Sequence, residues 1–207
     1  MKAKETTLGS DDGMGVAAIM AIMEAHDLVH GPLEALITAD EETCMYGVNH
    51  LAADTLHGDI LLNMDNETMG EFVIGSAGGV NISATMQYKE VAPEAGDIAV
   101  KVCLQGLKGG HSGLEINEGR ANANKLMARF VRQAIADDDA RLCSWNGGNM
   151  RNAIPRAASA VLTIPAENLD DLKDLVAYCL ETFKNEYAGI EEEMEMTIES
   201  TIMPAAQ

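Results

Sequence analysis

The sequence predicts an α/β protein in two parts: a parallel-sheet unit over residues 1–72, then a ferredoxin-like βαββαβ unit over residues 73–207. Three observations carry this. The first part alternates apolar helix and strand signals, the grammar of a parallel sheet with crossover helices. Turns such as GSAGG and PEAG break that grammar after about Gly70. From Asp97 onward, strands with two unlike faces alternate with amphipathic helices in the order β-α-β-β-α-β.

Met14 to His26 is apolar on nearly every face, which fits a helix buried in a larger protein, and Pro32 closes it off. Leu33 to Thr38 then reads as a short strand ending at Ala39-Asp40-Glu41-Glu42. A second helix is expected over Met45 to Leu56. Asp59 to Met64 is a continuous apolar run, as expected of a strand covered on both faces, and ends at Asp65-Asn66-Glu67.

In the second part, Ile98, Val100, Val102 and Leu104 point one way, and Ala99, Lys101, Cys103 and Gln105 the other. The Gly-rich turn Lys108-Gly109-Gly110-His111-Ser112-Gly113 follows. Leu126, Met127, Phe130, Val131, Ala134 and Ile135 recur at helical spacing. Arg141 to Trp145 and Ala157 to Ile164 are strands joined by GGNMRNAIPR. Asn168 is a good N-cap for the next helix, with Asp170 and Asp171 in its first turn. Its stripe is Leu172, Leu175, Val176, Cys179 and Phe183, and Gly189 ends it. Met194, Met196 and Ile198 alternate as the last strand.

Composition narrows the function. Among 207 residues, 14 Lys and Arg face 33 Asp and Glu, a formal charge of −19. A pI near 4.4 argues against nucleic acid or an anionic membrane as partner, because both require clustered positive charge. No apolar run reaches the roughly 18 residues of a membrane span. The N-terminus MKAKETTLGS has no apolar signal region. Cys44, Cys103, Cys143 and Cys179 are far apart and form no CxxC; they read as reduced, buried thiols of a cytoplasmic protein.

Three acidic clusters stand out: Asp11-Asp12, Asp40-Glu41-Glu42 and Asp65. The last two follow expected strands directly, and strand C-termini of an open parallel sheet share the edge where ligands bind. Two readings stand. Carboxylates gathered there repel and call for a cation; alternatively they are loop and N-cap acids of a very acidic chain. His111 among glycines reads as a positioned loop residue or as a solvated histidine. Asn152 and Arg156 bracket Ile154-Pro155; a guanidinium binds a substrate carboxylate bidentately, but Arg156 reads equally as a surface arginine.

TTLGSDDGMG, TADEETCMYG, LLNMDNE, GLKGGHSGLEI, NANKL and GGNMRNAIPR occur in this order. Together they resemble the aminoacyl-histidine dipeptidases (Xaa-His dipeptidase, peptidase D), a branch of the dizinc aminoacylase and carnosinase-type metallopeptidases. The resemblance runs from about Thr6 to Gln207. It implies part of an α/β catalytic domain with two zinc ions, followed by the first half of a lid domain built on a ferredoxin-like core. It also implies roles. Asp11 resembles the carboxylate bridging the metals, Glu42 the ligand of one zinc and Asp65 of the other. Glu41 resembles the general base, and His111 the lid histidine that meets the oxyanion. Asn152 and Arg156 lie in the lid motif that grips substrate. The family usually has Asn where this chain has Asp12.

Each zinc of the family also takes a histidine, and His26, His30, His50 and His57 match neither motif. The resemblance therefore implies an internal piece, inactive alone, of an enzyme that hydrolyses Xaa-His dipeptides, with possible homo-oligomers. The alternatives are a non-catalytic ferredoxin-like dimerisation or binding module, and a zinc deacylase acting on N-acyl amino acids. Glu41 and Glu42 are adjacent, so on an extended segment they face opposite ways.

Overall fold

A computed structural model of the chain describes residues 11–41, 45–66, 68–76, 78–80 and 82–207. The chain divides into two compact units, Met1–Ser83 and Ala84–Gln207.

The first unit opens with helix α1 (Gly13–Glu24). Asp12 is its N-cap, and its Oδ1 accepts the Gly15 amide at 2.8 Å. A carboxylate here satisfies an orphan donor and faces the positive end of the helix dipole. The expected helix from Met45 to Leu56 shrinks to one turn, α2 (Tyr46–Asn49). The helix closes at His50 (φ −107, ψ 8), and Asp54 further on turns left-handed (φ 63), so residues 50–56 do not extend it.

The parallel sheet expected of this unit is not formed among the described residues, where residues 33–38 and 59–64 join no ladder. Ile60, Leu61 and Leu62 are 82%, 78% and 75% exposed rather than covered on both faces. Apolar patterning reports an appetite for burial, whereas a strand exists only with a hydrogen-bonding neighbour. A side chain ties these segments instead. The Glu34 carboxylate accepts the amides of His57 and Gly58, both at 2.8 Å, and meets the His57 ring at 3.1 Å. Those bonds, led by the His57 amide, hold its carboxyl below the usual glutamate range.

The second unit follows its sequence closely. Strands β1 (Asp97–Gln105), β3 (Arg141–Gly147), β5 (Ala158–Pro165) and β6 (Glu195–Ser200) form one antiparallel sheet in the order β3-β5-β1-β6. A separate two-stranded ribbon pairs β2 (Gly110–His111) with β4 (Ala153–Ile154). Helices α3 (Ala123–Asp137) and α4 (Leu169–Glu186) connect the sheet strands. With sheet order 2-3-1-4 in its own strands, this is the split βαβ arrangement of ferredoxin-like folds.

One core holds the unit. Val100, Val102 and Leu104 of β1 and Ala160, Leu162 and Ile164 of β5 meet Leu126, Met127 and Phe130 of α3. The α4 stripe, Leu172, Leu175, Val176, Cys179 and Phe183, closes the same cluster. Ile135, expected in the α3 stripe, is 47% exposed because it lies past the helix face that meets the sheet. Arg129 lies 4.7 Å over the Phe183 ring and forks onto Glu186 at 2.6 and 2.7 Å, joining α3 to α4. Asn168 precedes α4, but its side chain makes no cap; it donates to the Asp138 carbonyl at 3.0 Å.

Cys103 and Cys143 are half-buried and Cys179 is buried, all free thiols; Cys44 lies outside the described residues. Burial pushes the Cys143 and Cys179 thiols up, so they stay protonated and unreactive. Among the described residues no helix is long and apolar enough to cross a membrane.

Asp138, just past α3, is buried and its Oδ2 has no hydrogen-bond partner. Burial, then the charges of Asp137, Asp171 and Asp139, raise its pKa. Between the unfolded value of about 3.9 and the raised folded value, the native state holds more protons than the unfolded chain. Stability therefore falls as pH rises through that window. Asp138→Asn should be more stable than the parent chain at pH 7, with the advantage shrinking towards pH 4. Urea denaturation at both pH values checks this; an advantage independent of pH would contradict it.

Candidate active site

In the second unit the site grows from one end of the sheet. β1 ends at Gln105, and the next residue must turn sharply past the backbone of Glu193. Gly106 does so at φ +80, where a Cβ would collide with the Glu193 carbonyl. The chain then runs to His111 and returns at Ala121. The β2–β4 ribbon sets His111 opposite Ala153, and the Ser112 amide donates to the Asn152 carbonyl at 2.8 Å. His111 and the Asn152–Arg156 segment, both singled out from sequence, are thus brought together.

The His111 ring is exposed but not free. Its Nδ1 lies 3.0 Å from the Gly113 amide and 3.1 Å from the Leu114 amide. Both are donors, so Nδ1 must accept, and in neutral imidazole the proton then sits on Nε2. The His111 amide donates to Glu115 Oε2 at 2.7 Å. Glu115 in turn pairs with Arg120 at 2.6 Å, and Arg120 donates to the Gly109 carbonyl at 2.8 Å. The His111 amide, followed by Arg120, holds the Glu115 carboxyl below the usual glutamate range, so it stays an ionised acceptor. Gly110, at φ +137, leaves room for this pair; a Cβ there would come within 2.6 Å of Glu115.

Beneath this loop lies Glu191, only 3% exposed. Its two carboxylate oxygens accept the Lys108 amide at 2.8 Å and the Ala121 amide at 2.9 Å. Sequence reasoning passed over Glu191, Glu115 and Arg120. Glu191 opens a run of three glutamates, and nothing in that run marks which one turns inward.

Two cavities flank the loops. One, of about 510 Å³, is lined by Ser112, Ile116, Asn124, Gly148, Met150 and Pro155 among others. The second, of about 540 Å³, sets exposed Arg156 across from Glu193 and Glu195. Both lie in the size range of small-ligand pockets. Asn124 shapes the first: its Oδ1 accepts the Trp145 indole N–H at 3.0 Å and its Nδ2 donates to the Gly147 carbonyl at 3.1 Å.

In the first unit, Asp11, Glu41 and Asp65 are all exposed, and Glu42 lies outside the described residues. The Asp11-Asp12 turn and the 59–66 segment approach at Gly15, where an added Cβ would meet Met64 at 2.8 Å. Glu41 is not on an extended segment: its carbonyl accepts the Met45 amide, a helical i→i+4 bond. The expectation that Glu41 and Glu42 face opposite ways falls on Glu42 and so lies outside the described residues. Among the described residues no group of three or more His, Cys, Asp or Glu is gathered to hold a metal ion. Asp11, Glu42 and Asp65 offer oxygen only, whereas zinc favours nitrogen or sulfur in its set. These residues alone do not fit a zinc site.

Residues 102–191 match the family model described as the peptidase dimerisation domain. Over 200 residues, 97% of the chain, the sequence is 44% identical to the cytosol non-specific dipeptidase of Escherichia coli (strain K12), spanning 41% of that protein. The crystal structure of aminoacylhistidine dipeptidase from Vibrio alginolyticus matches with a TM-score of 0.66 at 39% identity, over 99% of this chain and 42% of that one.

The chain is similar to these two dipeptidases over nearly its whole length. It spans about two fifths of the length of these two relatives. Peptidase T of Clostridium novyi (strain NT) is 29% identical over 92 residues, 42% of this chain and 22% of that protein. The dimerisation-domain match lies within the second unit.

Asn124→Ala should remove the side-chain bonds that Asn124 makes to the Trp145 indole and the Gly147 carbonyl. The expected cost is about 1 kcal/mol, with a shifted emission of Trp145, the single tryptophan. Asn124→Asp keeps an acceptor for the indole and should retain the emission. Fluorescence-detected urea denaturation reads both; identical emission in all three proteins would remove Asn124 from its shaping role.

Proposed function

We propose that this chain is part of a metal-dependent dipeptidase that cleaves Xaa-His peptides, working in the cytosol as a homo-oligomer. The observation that carries the reading is the fixed His111 ring. Its Nδ1 is occupied by two backbone amides. Nε2–H is then available as a neutral hydrogen-bond donor. A peptide carbonyl under attack gathers negative charge on oxygen, and a donor already aimed at that oxygen stabilises the transition state more than the substrate. The named relatives are dipeptidases, and the matched family model is a dimerisation domain.

The remaining roles follow the resemblance. Glu41 takes the proton of the attacking water and passes it to the leaving amine. Asp11, Glu42 and Asp65 are this chain's share of the residues that hold the two zinc ions, and on their own they do not suffice. Asn152 and Arg156 hold the substrate, Arg156 through the peptide's terminal carboxylate. The 207-residue chain alone is inactive on this reading. A zinc deacylase on the same scaffold is the second reading; it differs in cleaving N-acyl amino acids and sparing dipeptides.

The test uses the intact enzyme. Carnosine-like and other Xaa-His dipeptides should be hydrolysed, and a chelator should stop the reaction. Glu41→Gln should keep its metal while turnover falls by about 10²–10⁴, whereas Glu42→Gln should lose part of its metal. His111→Ala should lower kcat by about 10²–10³. Metal analysis beside steady-state kinetics reads all three. Near-normal turnover in Glu41→Gln and His111→Ala would overturn the reading.

A further inference from the structure

We propose that Glu191 is a positioning residue for His111: it clamps both ends of the loop that presents the imidazole. The proposal rests on the reading of His111 as the oxyanion donor. The loop leaves the sheet at Lys108 and rejoins the helical layer at Ala121. Both amides are held by one buried carboxylate, 2.8 Å from Lys108 and 2.9 Å from Ala121. Glu191 comes from a distant part of the chain, just before β6.

The clamp reaches the ring through two short routes. At the outgoing end, Lys108 leads directly into Gly109 and Gly110, glycines in left-handed conformations with no side chain to steady them. At the returning end, Ala121 adjoins Arg120. Fixing Ala121 fixes the root of the guanidinium that binds the Gly109 carbonyl and Glu115. Glu115 then holds the His111 amide. The carboxylate offers a separate oxygen to each amide, and both bonds are charge-assisted. The position also demands two acceptors. Glu191→Gln keeps one carbonyl oxygen but turns an NH₂ group toward the other backbone N–H, so one end of the loop is released.

The experiment has two arms. In the 207-residue chain, hydrogen exchange is measured amide by amide. The parent chain should protect the Lys108 and Ala121 amides. Glu191→Gln should speed exchange of His111, Ser112 and Gly113 by about tenfold or more, the usual worth of a bond to a charged group, while Val100 and Val102 stay protected. Glu192→Gln, an exposed neighbour, should change none of these. Free exchange of Lys108 and Ala121 in the parent chain would overturn the clamp even if Glu191→Gln fails to fold. So would exchange that rises equally in loop and sheet, or in neither.

In the intact enzyme, Glu191→Gln should lower kcat by about tenfold or more and leave KM within about threefold. In a His111→Ala background it should cost nothing further, because its effect runs through that ring. Additive losses would overturn the positioning role. If the intact enzyme has no peptidase activity at all, the hydrolytic reading fails, and the exchange arm still decides the clamp.

Discussion

The antiparallel register of β1 with β5 sets Leu104 opposite Ala158. That single alignment makes the chain leaving β1 and the chain entering β5 emerge side by side. The His111 loop and the Asn152–Arg156 segment are those two stretches, and the β2–β4 ribbon continues their pairing beyond the sheet. A slip of one residue would turn every side chain of one strand to the opposite face. Val100, Val102 and Leu104 would leave the core, which is why the core and the site stand or fall together.

Much of this unit was legible. The two-residue period of β1, the five-residue stripe of α4 and the β-α-β-β-α-β order all reappear, because each records which face of an element must be buried. The flanking glycines marked His111 as a positioned loop residue, and left-handed φ values at Gly109 and Gly110 explain why glycine is needed there. What escaped was tertiary. Glu191, Glu192 and Glu193 are chemically the same, and only the turn after α4, entered through Gly189 at φ +79, decides that Glu191 faces inward. The first unit shows the converse limit. Its apolar runs at residues 33–38 and 59–64 state that these segments seek cover, but not which neighbour supplies a ladder.

The electrostatics of the two units differ in kind. In the first, Asp12 caps a helix and Glu34 binds backbone amides, so these carboxylates are engaged in local structure, while Asp11, Glu41 and Asp65 stand exposed. In the second, Glu115 and Glu191 hold a loop and Arg120 ties it together. In the neutral form of the His111 ring, the donor atom is chosen by backbone geometry rather than by a partner carboxylate on the ring. An oxyanion donor of this kind needs no proton taken up from solvent.

That choice of donor atom is the central claim, and the most direct measurement of it is the nitrogen-15 spectrum of the His111 imidazole in the 207-residue chain. In the neutral ring, Nδ1 should give the signal of an unprotonated nitrogen and Nε2 that of an N–H. A dominant Nδ1–H form, or an even mixture of the two, would mean that the Gly113 and Leu114 amides do not hold the ring, and the account of His111 would be contradicted.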